Sequence, residues 1–273
     1  MTLSTMTVYA RDGFELRAQR GGPKGAPTLV LLQGQANSHR WWTGLRERFE
    51  DSLSTLTIDY RGTGGSRGTV GDWTTETFAD DVADVVTYLG ISSAAVYGTS
   101  MGGRIGQKLA IRHPHLVSAL VLACTSPGGD LAVERSVETR MSIARAEPGT
   151  GRQVLHDLFY TPGWPGTPER SHLLGDPTMS REESRAHLRV SGRHDASSEL
   201  GLIVAPTLVL HGDDDLMTPV VNAERLAEHI TGADLTTYPG HRHGFFEELA
   251  DEVTAEVRAH LATHWVLPVP AVA

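Results

Sequence analysis

The chain has 273 residues, with 24 Lys and Arg against 33 Asp and Glu, for a formal charge of −9. Nucleic acid and anionic lipid surfaces repel such a chain, so neither is expected as a partner. The single cysteine, Cys124, excludes an intrachain disulfide. With no basic-then-apolar leader between Met1 and Asp12, and no apolar run near the roughly 20 residues of a membrane span, a cytoplasmic protein is expected.

In chain order, Thr7 to Arg20 reads as a hairpin turning at Asp12-Gly13, a dipeptide that tolerates the positive φ of a tight turn. Strands are expected over Pro27 to Leu32, Ser54 to Tyr60, Ala94 to Gly98, Val117 to Cys124, Pro206 to Leu210 and Asp234 to Tyr238. Between and after them, helices are expected over Trp41 to Phe49, Phe78 to Leu89, Met101 to Arg112, Val220 to Ile230 and Phe245 to Trp265. Apolar strands alternating with helices imply a parallel sheet covered on both faces, with active groups on loops beyond the carboxyl ends of its strands. Residues 130–199 interrupt the alternation. They carry a Val133, Val137, Met141 stripe, a Pro162 to Gly166 loop and a Ser180/Glu183 capping box, and are read as a helical cap inserted between core segments 1–129 and 200–273. The tail from Val266, with Pro268 and Pro270, reads as an end that adds no element.

Gly-x-Ser-x-Gly occurs twice, around Ser66 and around Ser100. Ser66 lies in a glycine-rich loop with no helix after it. Ser100 follows Ala94-Ala95-Val96-Tyr97 and opens the helix of Arg104, Ile105 and Leu109, the strand–turn–helix that a nucleophile elbow needs. A serine there needs a base, and the base needs a group to orient it. Asp213-Asp214-Asp215 follow one later strand, and His241 and His243 follow the last, so the acid and the base each have alternatives on these grounds.

The order Ser, Asp, His, each after a strand, resembles the α/β-hydrolase superfamily, in its serine esterase, lactonase and bromoperoxidase-like branch. The resemblance runs from about Thr28 to Ala250. It implies the α/β-hydrolase fold: a mostly parallel twisted sheet, helices on both faces and an inserted cap. The acid usually stands three residues after the glycine ending its strand, which selects Asp215 after Gly212. The histidine usually stands in Gly-x-x-His-x-Phe, which selects His243 between Gly240 and Phe245. The family's His-Gly-x after the third strand is Gln33-Gly34-Gln35 here. The backbone N–H groups of Gln35 and Met101 are then the expected oxyanion donors, needing no particular side chain. Gln33, Trp42 and Phe245 are expected to touch substrate. The Asp59 to Ser66 loop resembles a turn motif of the family and is read as structural, with Asp59 and Ser66 bonding turn amides.

The expected activity is cleavage of a small carboxylic ester, lactone or thioester through an acyl-enzyme on Ser100. C–C bond hydrolysis, a cyclase or acyl transferase on the same scaffold, and a non-catalytic binding module are the alternatives. No organic cofactor and no metal is expected, since His113, His115, His241 and His243 have no third ligand at a familiar spacing. The expected partner is the small-molecule substrate, and a homodimer is allowed.

Overall fold

The structure, a computed structural model, describes residues 3–147 and 149–265, so the expected tail from Val266 lies outside the described residues. Eight strands form one sheet in the order β1-β2-β4-β3-β5-β6-β7-β8. Strands β1 (Ser4–Tyr9) and β2 (Glu15–Gly21) are the expected hairpin, and β2 pairs antiparallel with β4 (Ser54–Ile58). From β4 through β3 (Thr28–Leu32), β5 (Ala94–Thr99), β6 (Val117–Ala123), β7 (Thr207–Gly212) and β8 (Asp234–Tyr238) every pairing is parallel. Strand pleating sends alternate side chains to opposite faces. Val30, Leu32 and Val96 therefore join one core with α1 (Thr75–Tyr88), α2 (Met101–Arg112) and α6 (Val221–His229), while Leu29, Leu31 and Tyr97 join the other. That second core holds Trp41, Trp42, α7 (Phe245–Glu248) and α8 (Ala250–His264).

Three further helices, α3 (Val137–Ala144), α4 (Gly151–Phe159) and α5 (Arg181–Gly192), stand between β6 and β7. The Ser180/Glu183 capping box opens α5, and Ala186 and Val190 on α5 enter the first core, whereas Val137 is exposed.

Three expectations change in detail. The single helix over Trp41 to Phe49 is two short 3-10 turns, His39–Trp42 and Arg46–Arg48, because Gly44 between them takes φ 81°. The final helix divides at Leu249, where φ −105° and ψ 38° leave the helical region. Strand β8 is largely exposed instead of apolar throughout, since it is an edge strand paired only with β7. No helix among the described residues is long and apolar enough to cross a membrane.

A buried ion cluster fixes the loop after β4. Arg61 bonds Asp81 on α1 at 2.7 and 2.6 Å and Asp12 of the hairpin at 2.6 and 3.0 Å, with its guanidinium 4.6 Å from the centre of the Phe14 ring. Burial pushes the Asp81 carboxyl up to about 6, against the opposing pull of Arg61. Removing one partner strands the other charge, so Arg61→Met should cost about 3–5 kcal/mol in urea unfolding. Arg61→Met combined with Asp81→Leu should regain most of that loss.

Candidate active site

Serine at the elbow is shaped by glycines on either side. A Cβ on Gly98 would stand 2.4 Å from the Gly102 carbonyl oxygen, and one on Gly102 would stand 2.1 Å from that of Leu32. Both obstacles are backbone, so only glycine fits. The turn between them holds Ser100 at φ 54°, ψ −120°, a region side chains rarely adopt. Its backbone is pinned on both sides. The Ser100 N–H donates to the Ala123 carbonyl at 2.9 Å, and the Thr125 hydroxyl donates to the Ser100 carbonyl at 2.7 Å. The hydroxyl of Ser66 is spent differently. It accepts from the Arg17 N–H at 2.8 Å and donates to the Asp59 carbonyl at 2.7 Å, fully buried in its turn.

Strands β7 and β8 deliver an acid and a histidine to one another. Asp215 Oδ2 lies 2.7 Å from His243 Nδ1, and both side chains are buried. The other oxygen, Oδ1, accepts the Met217 and Thr218 N–H groups at 2.8 and 2.9 Å. Burial opposes the Asp215 charge. The field of the His243 imidazole, with hydrogen bonds from His211 and His243, outweighs it and holds the carboxyl well below the usual carboxylate range. The rivals are occupied elsewhere. Asp213 accepts the Gly240 N–H at 2.6 Å, Asp214 pairs with Arg242 at 2.9 Å, and His241 pairs with Glu248 at 2.7 Å.

Comparison with known proteins agrees with this topology. The sequence profile of the alpha/beta hydrolase fold matches residues 27–139, and that of a TAP-like protein matches residues 172–266. The chain is 28% identical over 244 residues to the "Putative carbamate hydrolase RutD" of Caulobacter sp. (strain K31), covering 86% of this chain and 90% of that one. A hydrolase from Pseudomonas aeruginosa PA01 superposes with a TM-score of 0.80 at 25% identity, over 94% of this chain and 98% of that one. A thermophilic esterase from Thermogutta terrifontis superposes with a TM-score of 0.78 at 25% identity, over 97% and 100%. The chain belongs to the α/β-hydrolase superfamily.

In this α/β-hydrolase the loop after β3 runs beside the elbow, since Gly102 abuts the backbone of Leu32 and Gln33. Neither the Gln35 nor the Met101 N–H donates to another group among the described residues. The loop turns at Ala36, φ 55°, and is tied to residues 173–187. Asn37 Nδ2 donates to the carbonyls of Gln35 at 2.9 Å and Leu173 at 3.3 Å, and the Asp176 N–H donates to the Ala36 carbonyl at 2.7 Å. The Ala36 N–H donates to His187 Nδ1 at 3.3 Å, which makes Nε2 the protonated nitrogen, donating to the Arg61 carbonyl at 2.8 Å.

The three side chains expected to touch substrate are placed otherwise. Gln33 is fully buried and donates its amide to the Ile58 carbonyl at 2.7 Å, bracing β3 against β4. Trp42 is fully buried against Tyr97 and Phe246, and Phe245 is fully buried and stacked on Tyr238. Phe159 of α4 instead stands edge-on to the His243 ring, with centroids 4.8 Å apart. Sequence reading also passed over Asn37, His187 and His211, whose partners lie far away in the chain or inside a turn. His211 is fully buried, with Nε2 2.8 Å from the Thr218 carbonyl and 3.3 Å from Asp215 Oδ2. Away from this site, Asp234, His260 and His264 bring ligand atoms within 4.8 Å of one another at the β8 edge.

Burial lowers the His187 imidazole to about 4, from an unfolded value near 6.5. The unfolded chain therefore takes up this proton at a higher pH than the folded one. The stability it confers is full above about pH 6.5 and is lost as pH falls towards 4, by up to roughly 3 kcal/mol. Urea unfolding at pH 7.5, 6 and 5 should show this loss, and His187→Gln, which keeps a donor and an acceptor, should show a shallower one.

Proposed function

We propose that this α/β-hydrolase cleaves a small carboxylic ester or lactone through an acyl-enzyme, with Ser100 as nucleophile, His243 as base and Asp215 as orienting acid. The observation that carries the reading is a buried imidazole whose Nδ1 is held by a carboxylate, in a chain that also holds a serine in a strained glycine elbow. Asp215 keeps the His243 tautomer in which Nε2 is the free acceptor. His243 takes the Ser100 proton as Oγ bonds to the acyl carbon, and the N–H groups of Gln35 and Met101 receive the resulting oxyanion. Collapse breaks the acyl C–O bond, and His243 returns the proton to the leaving oxygen. Water then attacks the acyl-enzyme, giving its proton to His243 and releasing the acid as Ser100 regains its hydrogen.

The names of the relatives support hydrolysis at an acyl carbon, one as a carbamate hydrolase and one as an esterase. Residues 130–199 are assigned the role of a cap over this cleft, with Phe159 setting one wall beside His243.

A fluorophosphonate probe should label Ser100 alone, read by peptide mass spectrometry. Turnover of an activated short-chain aryl ester should fall about 1000-fold or more in Ser100→Ala and in Asp215→Asn. His243→Ala should abolish labelling while His241→Ala keeps it. Label on another residue, or full turnover by Ser100→Ala, overturns the assignment.

A further inference from the structure

Several cations drawn into this fold have carboxylate partners. Arg46 lies 2.9 Å from Glu50, Arg61 meets Asp12 and Asp81, and Lys108 meets Glu76 at 3.0 Å and Glu199 at 2.5 Å. Arg104 and Arg135 differ. Among the described residues no carboxylate stands within 4 Å of either guanidinium. The Arg104 Nη1 donates to the Ser191 carbonyl and, at 2.9 Å, to its hydroxyl. Arg135 reaches only the Met217 sulfur, at 3.7 Å. Burial pushes Arg104 down to about 10 and lowers Arg135 as well. The field of Glu134 opposes that push at both, and Arg135 adds a repulsion at Arg104. Arg104 is half-buried and lines a cavity, so a guanidinium with no carboxylate in reach there is open to an anion that arrives from outside.

The place for it is a cavity of about 310 Å³ lined by Arg104, Ser126, Gly128, Glu134, Ser191 and Asp195, among others. Two of its wall residues are tied through the backbone to Ser100. Arg104 sits one helical turn after Ser100, about 6 Å along α2, and donates its backbone N–H to the Ser100 carbonyl. Ser126 follows Thr125, whose hydroxyl bonds the same carbonyl. Arg135 touches the loop on which Met217 donates its N–H to Asp215. Of the carboxylates in the wall, Asp195 is spent on the Ser197 N–H and hydroxyl, at 2.9 and 2.6 Å, and Glu134 is exposed.

We infer that the substrate carries a carboxylate on the part distant from the scissile bond, and that Arg104 receives it in this cavity, with Arg135 adding to the local positive field. Because Ser191 occupies Nη1, the guanidinium keeps the Nε–Nη2 edge. Two parallel donors on that edge match the two oxygens of a carboxylate. The inference rests on the hydrolase reading above and narrows its substrates to half-esters of dicarboxylic acids and lactones bearing an acid group.

Two measurements on the full chain separate this inference from the reading beneath it. In calorimetric titration, succinate should bind wild type, and Arg104→Gln should weaken it roughly 10- to 100-fold. Arg104→Lys, which keeps the charge and loses the fork, should fall between, and Arg135→Gln should also weaken binding. Removing an uncompensated charge should leave the free protein at least as stable, so a melting curve checks that Arg104→Gln is folded. In kinetics, the ratio of kcat/KM for p-nitrophenyl hemisuccinate over p-nitrophenyl butyrate should exceed one in wild type and drop at least tenfold in Arg104→Gln. Failure of wild type to bind succinate, unchanged binding in Arg104→Gln, or binding of inorganic phosphate as tight as succinate overturns the carboxylate site. Succinate bound at Arg104 with neither ester cleaved overturns the hydrolase reading alone.

Discussion

The site depends on one close approach of backbone to backbone. Gly102 at the start of α2 lies against the carbonyls of Leu32 and Gln33 at the end of β3, a gap that a single methyl group would close. To enter the helix at that distance the chain must reverse sharply after β5, and the reversal falls on Ser100. A residue held in such a region costs on the order of 1–3 kcal/mol, which persists only where the surroundings over-determine it. Here β5 and β6 do so in register, with the Ser100 N–H on the Ala123 carbonyl and the Thr125 hydroxyl on the Ser100 carbonyl. The same contact draws the N-terminus of α2 to the loop that begins at Gln33. The strain at Ser100 and the approach of α2 to the loop that begins at Gln33 are thus two results of one packing constraint.

That loop is not rigid by its own geometry. Gly34 is wedged against Trp41, and Ala36 turns through a positive φ, so its shape is held from outside. The holders, Leu173, Asp176 and His187, belong to the segment between β6 and β7. His187 spans two structures at once, accepting from Ala36 and donating to Arg61, which is itself locked by Asp12 and Asp81. A change in the inserted helices therefore acts on the loop of Gln35 through named hydrogen bonds. The packing of the insert and the shape of the loop of Gln35 are mechanically coupled.

Much of this was legible in the sequence because it rests on local patterns. Apolar strand runs gave away the parallel sheet, Ser180 and Glu183 marked the start of α5, and the strand before and helix after Ser100 distinguished it from Ser66. Glycine failed as a guide where it punctuates a helix-like pattern: Gly44 splits the stretch from Trp41 to Phe49 into two turns. Side-chain destinations were less legible still. Trp42 and Phe245 are aromatic residues near the right loops, yet the second face of the sheet needs large apolar side chains beneath α8, and both go there. Gln33 is polar at a strand end, but β4 lies close enough to take its amide. Asn37, His187 and His211 act through partners that no spacing rule connects to them.

Arg104 was invisible for a related reason. An arginine at this point of a helix is ordinary, and only the absence of a counter-charge around it carries information. At Arg61 the fold solves the same problem from within, bringing two carboxylates from separate elements to one guanidinium. It had the means to do so beside Arg104, where Glu134 and Asp195 stand in the same cavity wall. Asp195 instead turns to the Ser197 amide, and Glu134 remains exposed. The positive potential left there acts on whatever enters the cleft. It favours an anionic ligand, because in a partly buried site a charge is weakly screened.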